Sequence, residues 1–270
     1  MQMLSALTLP DFLPHLVGIL LLLLIWQYHQ MQVMAGRIQA FDVFDRSGIR
    51  MYVFATPHHD QICDACRAAS GTVFLPTRVA EREFSPLETP CTRSGNCTSV
   101  LVGLYGAWLE ARGVLDRLHA TKKQGQVKLS PDELRGLLNG QWERSVSAAT
   151  DRLGIHMLEG LCYETINADV AIQSYRYVVD QAREIRHLLL LVPAYLQLVD
   201  VLGRTERYEE AIQAIEQFEF RFPRNKRARH FPTEVQRGIM SLKKSRLKVA
   251  QAHQTLTTPL VAVPHSVANG

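Results

Sequence analysis

Four of the chain's five cysteines fall in one short stretch, Cys63 and Cys66 as C-x-x-C, then Cys91 and Cys97. Four thiolates suit a tetrahedral Zn²⁺, and a tight C-x-x-C turn brings two sulfurs to one ion. The expected ligand set is therefore Cys63, Cys66, Cys91 and Cys97, holding a structural zinc. Redox chemistry competes, because a C-x-x-C at a helix N-terminus lowers a thiol's pKa. No βαβ pattern surrounds the motif, which counts against that reading. The plain alternative is four cysteines packed without a ligand. His58 and His59 precede the turn and are available as substitute ligands, although adjacent histidines at such a place are ordinarily surface residues. A nucleotide-deaminase site needs H-x-E followed by P-C-x-x-C, and Pro90-Cys91 lacks the second spacing. Cys162 stands apart, beside Leu158 and Leu161, and reads as core. No phosphate-binding glycine loop, dinucleotide fingerprint or H-E-x-x-H occurs, nor does a nucleophile elbow. The expectation is a protein that is not an enzyme.

The cysteines follow an apolar N-terminal segment. Between Asp11 and Arg37 there is no Asp, Glu, Lys or Arg, and five consecutive leucines precede Ile25 and Trp26. A bilayer core needs about 20 mostly apolar helical residues. Residues 13–34 are thus expected to form a single transmembrane helix, with Trp26 and Tyr28 at its boundary. A cleaved signal peptide fits less well, since no basic residue precedes Arg37 and bulky Trp26-Gln27-Tyr28-His29 follows the leucines. Arg37, Arg46 and Arg50 lie after the span, so the positive-inside rule places the bulk of the chain in the cytoplasm. There the cysteines stay reduced and favour metal, whereas in an exported protein they tend to oxidise.

The fold class expected from these elements is mainly α. It comprises an N-terminal segment over 1–47, a small Cys-rich β and loop module over 48–98, and a helical domain over 99–254. The tail, 255–270, has the composition of a disordered end. Within the module, Gly48 reads as a helix stop with positive φ, and Met51–Thr56 and Gly71–Pro76 read as strands. Glu81 to Asn96 has little periodicity and reads as a loop that a zinc-knuckle-like staple must hold. This stretch, over roughly 48–100, resembles the cysteine segment of phage head-morphogenesis proteins of the Mu protein F type. The likeness rests on a strand before C-x-x-C, on Gly71-Thr72-Val73-Phe74, and on Pro90 with the later cysteines. It implies a small metal-binding fold; the anchor and helical half are unlike a capsid assembly protein.

Beyond Cys97 helical spacing takes over, with one helix expected from Ser99 to Ala120. Ser130-Pro131-Asp132-Glu133 starts another, read as running toward Tyr163. More helices are expected at 168–187, 189–203, 207–221 and 232–253. Tyr195, Leu198, Tyr208, Ala211 and Pro223 are spaced so that the stretch resembles a tetratricopeptide unit, with Tyr208-Glu209-Glu210-Ala211-Ile212 as its central string. Leu158, Ala171, Ile172 and Tyr175 form a weaker copy, so the resemblance covers about 150–225. Ala171 and Ala211 are forty residues apart, beyond the usual period of about 34. The resemblance implies an array of helical hairpins that binds a protein partner. The last helix is expected to cap it with Val235, Ile239, Leu242 and Val249 inward and Arg237, Lys244 and Lys248 in water. A plain helical bundle without a groove is the alternative. Finally, Arg221, Arg224, Lys226, Arg227 and Arg229 form a basic patch. It suits anionic lipid on an anchored protein, while nucleic acid is not expected because no aromatic interleaving or reader motif accompanies it.

Overall fold

The computed structural model describes residues 15, 17–27, 48–57, 62–81, 84–87, 99–121, 125–140, 149–182, 188–223 and 234–257. The chain divides into two compact units, Met1–Ser47 and Gly48–Gly270.

In the first unit residues 17–27 are helical (α1). Val17, Ile19 through Ile25 and Trp26 are each between 50 and 68 % exposed. Among the described residues no helix is long and apolar enough to cross a membrane. The transmembrane helix expected over 13–34 is not supported among the described residues, and residues 13, 14, 16 and 28–34 lie outside them.

In the second unit the order is β1 (Met51–Ala55), α2 (Asp64–Ala69), β2 (Thr72–Phe74), α3 (Pro76–Val79), β3 (Val100–Leu104), α4 (Leu109–Ala120), β4 (Gln126–Lys128) and α5 (Pro131–Leu138). Then come α6 (Ala149–Tyr163), α7 (Ala168–Gln181), α8 (Leu188–Arg204), α9 (Tyr208–Arg221) and α10 (Glu234–Thr257). The fold is mainly helical, with one small antiparallel sheet of order β3-β1-β2-β4.

Strand register explains what the sheet buries. Val53 pairs with Val73 on one side and Val102 on the other, and Met51 pairs with Leu104. Paired residues share a face, so this row turns together into the large core that runs from Met51 to Met240. Tyr52, Phe54 and Phe74 alternate onto the opposite face and are buried too. Both strands expected around the C-x-x-C are present, and Gly48 has the expected positive φ of 77°. A helix from Ser99 is not present: Val100 to Leu104 is a strand. Its Val100, Val102 and Leu104 satisfy a period of two, and the free edge of β1 supplies the partner that decides between periods. One sheet therefore uses strands from both sides of residue 98. β4, only three residues long, lies between the end expected for the helix at Ala120 and the helix start at Ser130.

The capping box at Ser130 is present: Glu133 N–H donates to Ser130 Oγ at 3.1 Å, and Ser130 N–H to Glu133 Oε2 at 2.7 Å. The helix it starts ends at Leu138 instead of running to Tyr163. Asn139-Gly140 supplies the stop.

From α6 to α10 each helix packs on the next, as in an array of antiparallel hairpins. Positions forty residues apart are equivalent: Ala171 and Ala211 are each the fourth residue of α7 and α9, and both are fully buried. Leu158 and Leu198, also forty residues apart, are both buried. Two glycines let α6 approach both neighbours. A Cβ at Gly154 would lie 2.7 Å from the Leu104 side chain of β3, and one at Gly160 would lie 2.5 Å from the Tyr175 ring of α7. The cap is turned from its expected face: Leu242 and Val249 are 54 and 58 % exposed, whereas Met240 is buried. Lys243 and Lys244 reach Asp200 and Glu219, and these ion pairs take the place of the apolar stripe read from the spacing.

Candidate functional site

Cys63 is the N-cap of α2, with extended backbone, and its Sγ accepts the Cys66 N–H at 3.4 Å. The cap sulfur thereby satisfies one of the backbone N–H groups left open at the start of the helix. Cys63 is half-buried and Cys66 is 1 % exposed. The turn is bolted to the sheet at its other end. Lys128 Nζ donates to the carbonyls of Ala68 and Ser70 at the end of α2, and its partial burial lowers its pKa. Gly71 closes the connection at a φ of 84°; its N–H donates to Phe54 O at 2.8 Å and its carbonyl accepts the Leu129 N–H at 3.0 Å. A Cβ there would come 2.9 Å from Leu129 O, so both conformation and space call for glycine.

Cys91, Cys97, His58 and His59 lie outside the described residues. Among the described residues no group of three or more His, Cys, Asp or Glu is placed to hold a metal ion. Cys63 and Cys66 supply two donors on one turn, which fits half of a tetrahedral thiolate site. Cys162 packs against the core, as expected, and burial pushes its thiol up to about 11.

No family model matches the chain. No curated protein and no solved structure matches it significantly either. The tetratricopeptide and head-morphogenesis resemblances therefore rest on the residues quoted for them.

The basic patch is in part spent on the fold. Arg221 Nη1 donates to Val179 O at 2.7 Å, and its other amino group to Ala182 O, closing the end of α7. Arg224, Lys226, Arg227 and Arg229 lie outside the described residues. On α10, Arg237 donates to Phe222 O and is half-buried.

Two polar clusters join the hairpins. Glu164, at the α6–α7 turn, has a fully buried side chain; it accepts from Tyr175 Oη at 2.6 Å and Arg204 at 2.8 Å. Burial raises its pKa, while Tyr175 and Arg204 pull it back. At the same end of the array Arg207 reaches Asp169 at 3.0 Å and Glu210 at 2.7 Å. Arg207, then Arg176, holds the Glu210 carboxyl down to about 2. Neither residue was singled out from the sequence; their separation of forty, the same as that of Ala171 and Ala211, is the signal available for this link.

Proposed function

We propose that the protein is a membrane-anchored scaffold that is not an enzyme and that holds a partner protein on its tetratricopeptide-like hairpin array. The observation that carries the reading is the succession α6 to α10, each helix packed on its neighbour. Such arrays leave broad faces for extended contact. Phe220 on α9 is 89 % exposed, and Leu242 and Val249 on α10 are also open, so the last two helices offer apolar residues to a partner. The helix α1 supports the anchor: eight consecutive exposed residues, Ile19 to Trp26, are all large and apolar and need lipid or protein around them. By the positive-inside rule, residues after the span face the cytoplasm.

In this reading Cys63, Cys66, Cys91 and Cys97 bind one structural zinc, which supplies cross-linking energy to the segment they bracket. The N-cap position of Cys63 also favours a second reading, in which Cys63 and Cys66 form a thiol-redox pair or a disulfide. Metal analysis with thiol titration separates the two. The zinc reading expects about one zinc per chain, lost in Cys63→Ser and Cys66→Ser; metal-free protein with oxidised cysteines sinks it. The partner is tested by proximity labelling from membranes with the intact chain and a Phe220→Asp, Leu242→Asp, Val249→Asp variant. The scaffold reading expects a defined set of proteins that disappears in the variant, and an unchanged set overturns it.

A further inference from the structure

A cleft of about 820 Å³ opens where β1 begins, β2 ends and α4 passes by. That volume suits a small ligand. Its floor is apolar, from Leu75 and Leu115, and its rim carries Arg50, Arg112, His119 and Asp116. Elsewhere in the fold Arg117, Arg176, Arg204 and Arg207 each reach a carboxylate. Arg50 and Arg112 reach none among the described residues, and both open on this one cleft. They come from different elements, the lead into β1 and the first half of α4, so their convergence is not a by-product of helical spacing.

We propose that this cleft binds a phosphoester whose phosphate is carried on a hydroxylated skeleton. Two guanidinium groups present forked donors that match phosphate oxygens, and the Thr77 hydroxyl and the His119 ring lie on the same rim as further partners. Asp116 sets the other half of the ligand. An acceptor-only carboxylate beside the anion site takes a hydroxyl group and repels a second phosphate. A sugar or glycerol phosphate satisfies both halves, whereas a polyphosphate or nucleic-acid backbone meets Asp116. The same chemistry occurs on free metabolites and on phospholipid headgroups.

The test is titration calorimetry on the full chain in neutral detergent, with glycerol phosphate and a short-chain phosphatidylglycerol, which also carries a single phosphate, as the two probes. Saturable binding of at least one probe is expected, weakened at least tenfold by Arg50→Gln and by Arg112→Gln, since each removes charged hydrogen bonds. Arg117→Gln, on the same helix but paired with Glu133, leaves binding unchanged. Binding of glycerol phosphate assigns the cleft to a soluble ligand, and binding of the lipid analogue alone assigns it to a headgroup. Failure of both probes to bind overturns the proposal, as does equal binding by the Arg50→Gln and Arg112→Gln variants. Both arginines are exposed, so matching thermal melts are expected to show that the variants remain folded.

Discussion

Asp151 is an ionisable group buried at the first turn of α6, 6 % exposed, with Tyr105 N–H donating to its Oδ1 at 2.6 Å. Burial pushes its carboxyl up from 3.8 to about 6, against the pull of the Tyr105 and Gly106 N–H groups. The folded chain therefore holds this proton more tightly than the unfolded chain does. Asp151's contribution to stability is complete below pH 3.8 and is lost as pH rises through about 6. The full loss is at most about 3 kcal/mol, at about 1.4 kcal/mol per unit. Asp151→Asn keeps an acceptor for Tyr105 and removes the charge. Urea titrations across this window are expected to show a declining stability difference in the native chain relative to the variant, and parallel curves would refute the assignment. Glu206 makes a second point at this scale. It sits at φ 59° where α8 ends, with Arg207 N–H bonded to Leu202 O at 2.9 Å and Glu206 N–H to Gly203 O at 3.3 Å. This is a helix-terminating motif that ordinarily uses glycine. Glu206→Gly is expected to stabilise by about 0.5–1 kcal/mol, the left-handed strain relieved less the entropy of a more flexible unfolded chain. An unchanged denaturation midpoint would show the strain to be absent. The burial of Asp151 was not legible in the sequence, because its partner lies 46 residues away.

At the scale of elements, legibility followed whether the deciding contacts were local. The capping box at Ser130 and the hairpins of α7 to α9 could be read, since caps and helical periods act within a few residues. β3 could not, because Val100, Leu104 and Trp108 fit a helix as well as Val100, Val102 and Leu104 fit a strand, and only the edge of β1 decides. The cap helix failed for a related reason: its inward face is set by Asp200 and Glu219 on other helices. Of the candidate site, the turn at Cys63 and Cys66 was legible from C-x-x-C. Its anchorage by Lys128 was not, since that residue is 60 positions from Ala68. The α6–α7 contact carries its own prediction. Tyr175 is fully buried, so its ring has no room to retreat from a Cβ placed 2.5 Å away. Gly160→Ala is expected to lose about 1–3 kcal/mol, the usual cost of overpacking, despite alanine's better helix propensity. Thermal denaturation reads the sign directly: a gain would mean that α6 and α7 are able to move apart.

For the whole molecule, the division at Ser47 and Gly48 separates two kinds of stability. Residues 48–270 contain a continuous core from Met51 through the sheet, α4 to α6 and the hairpins to Met240. Among the described residues of 1–47 the large apolar side chains are exposed. Hydrophobic burial is the main term stabilising a fold, so the larger unit should not depend on the smaller one. A chain beginning at Gly48 is therefore expected to unfold cooperatively, with a midpoint within a few degrees of the full chain's in detergent. It is also expected to lose the membrane attachment proposed above, because the exposed leucines of α1 go with the deleted segment. Alkaline extraction of membranes measures attachment and calorimetry measures the midpoint, so the two consequences separate. Release with an unchanged midpoint places anchoring in residues 1–47 alone. Continued attachment of the shortened chain would move the membrane contact onto the second unit, with the Arg50 and Arg112 cleft as the first region to examine.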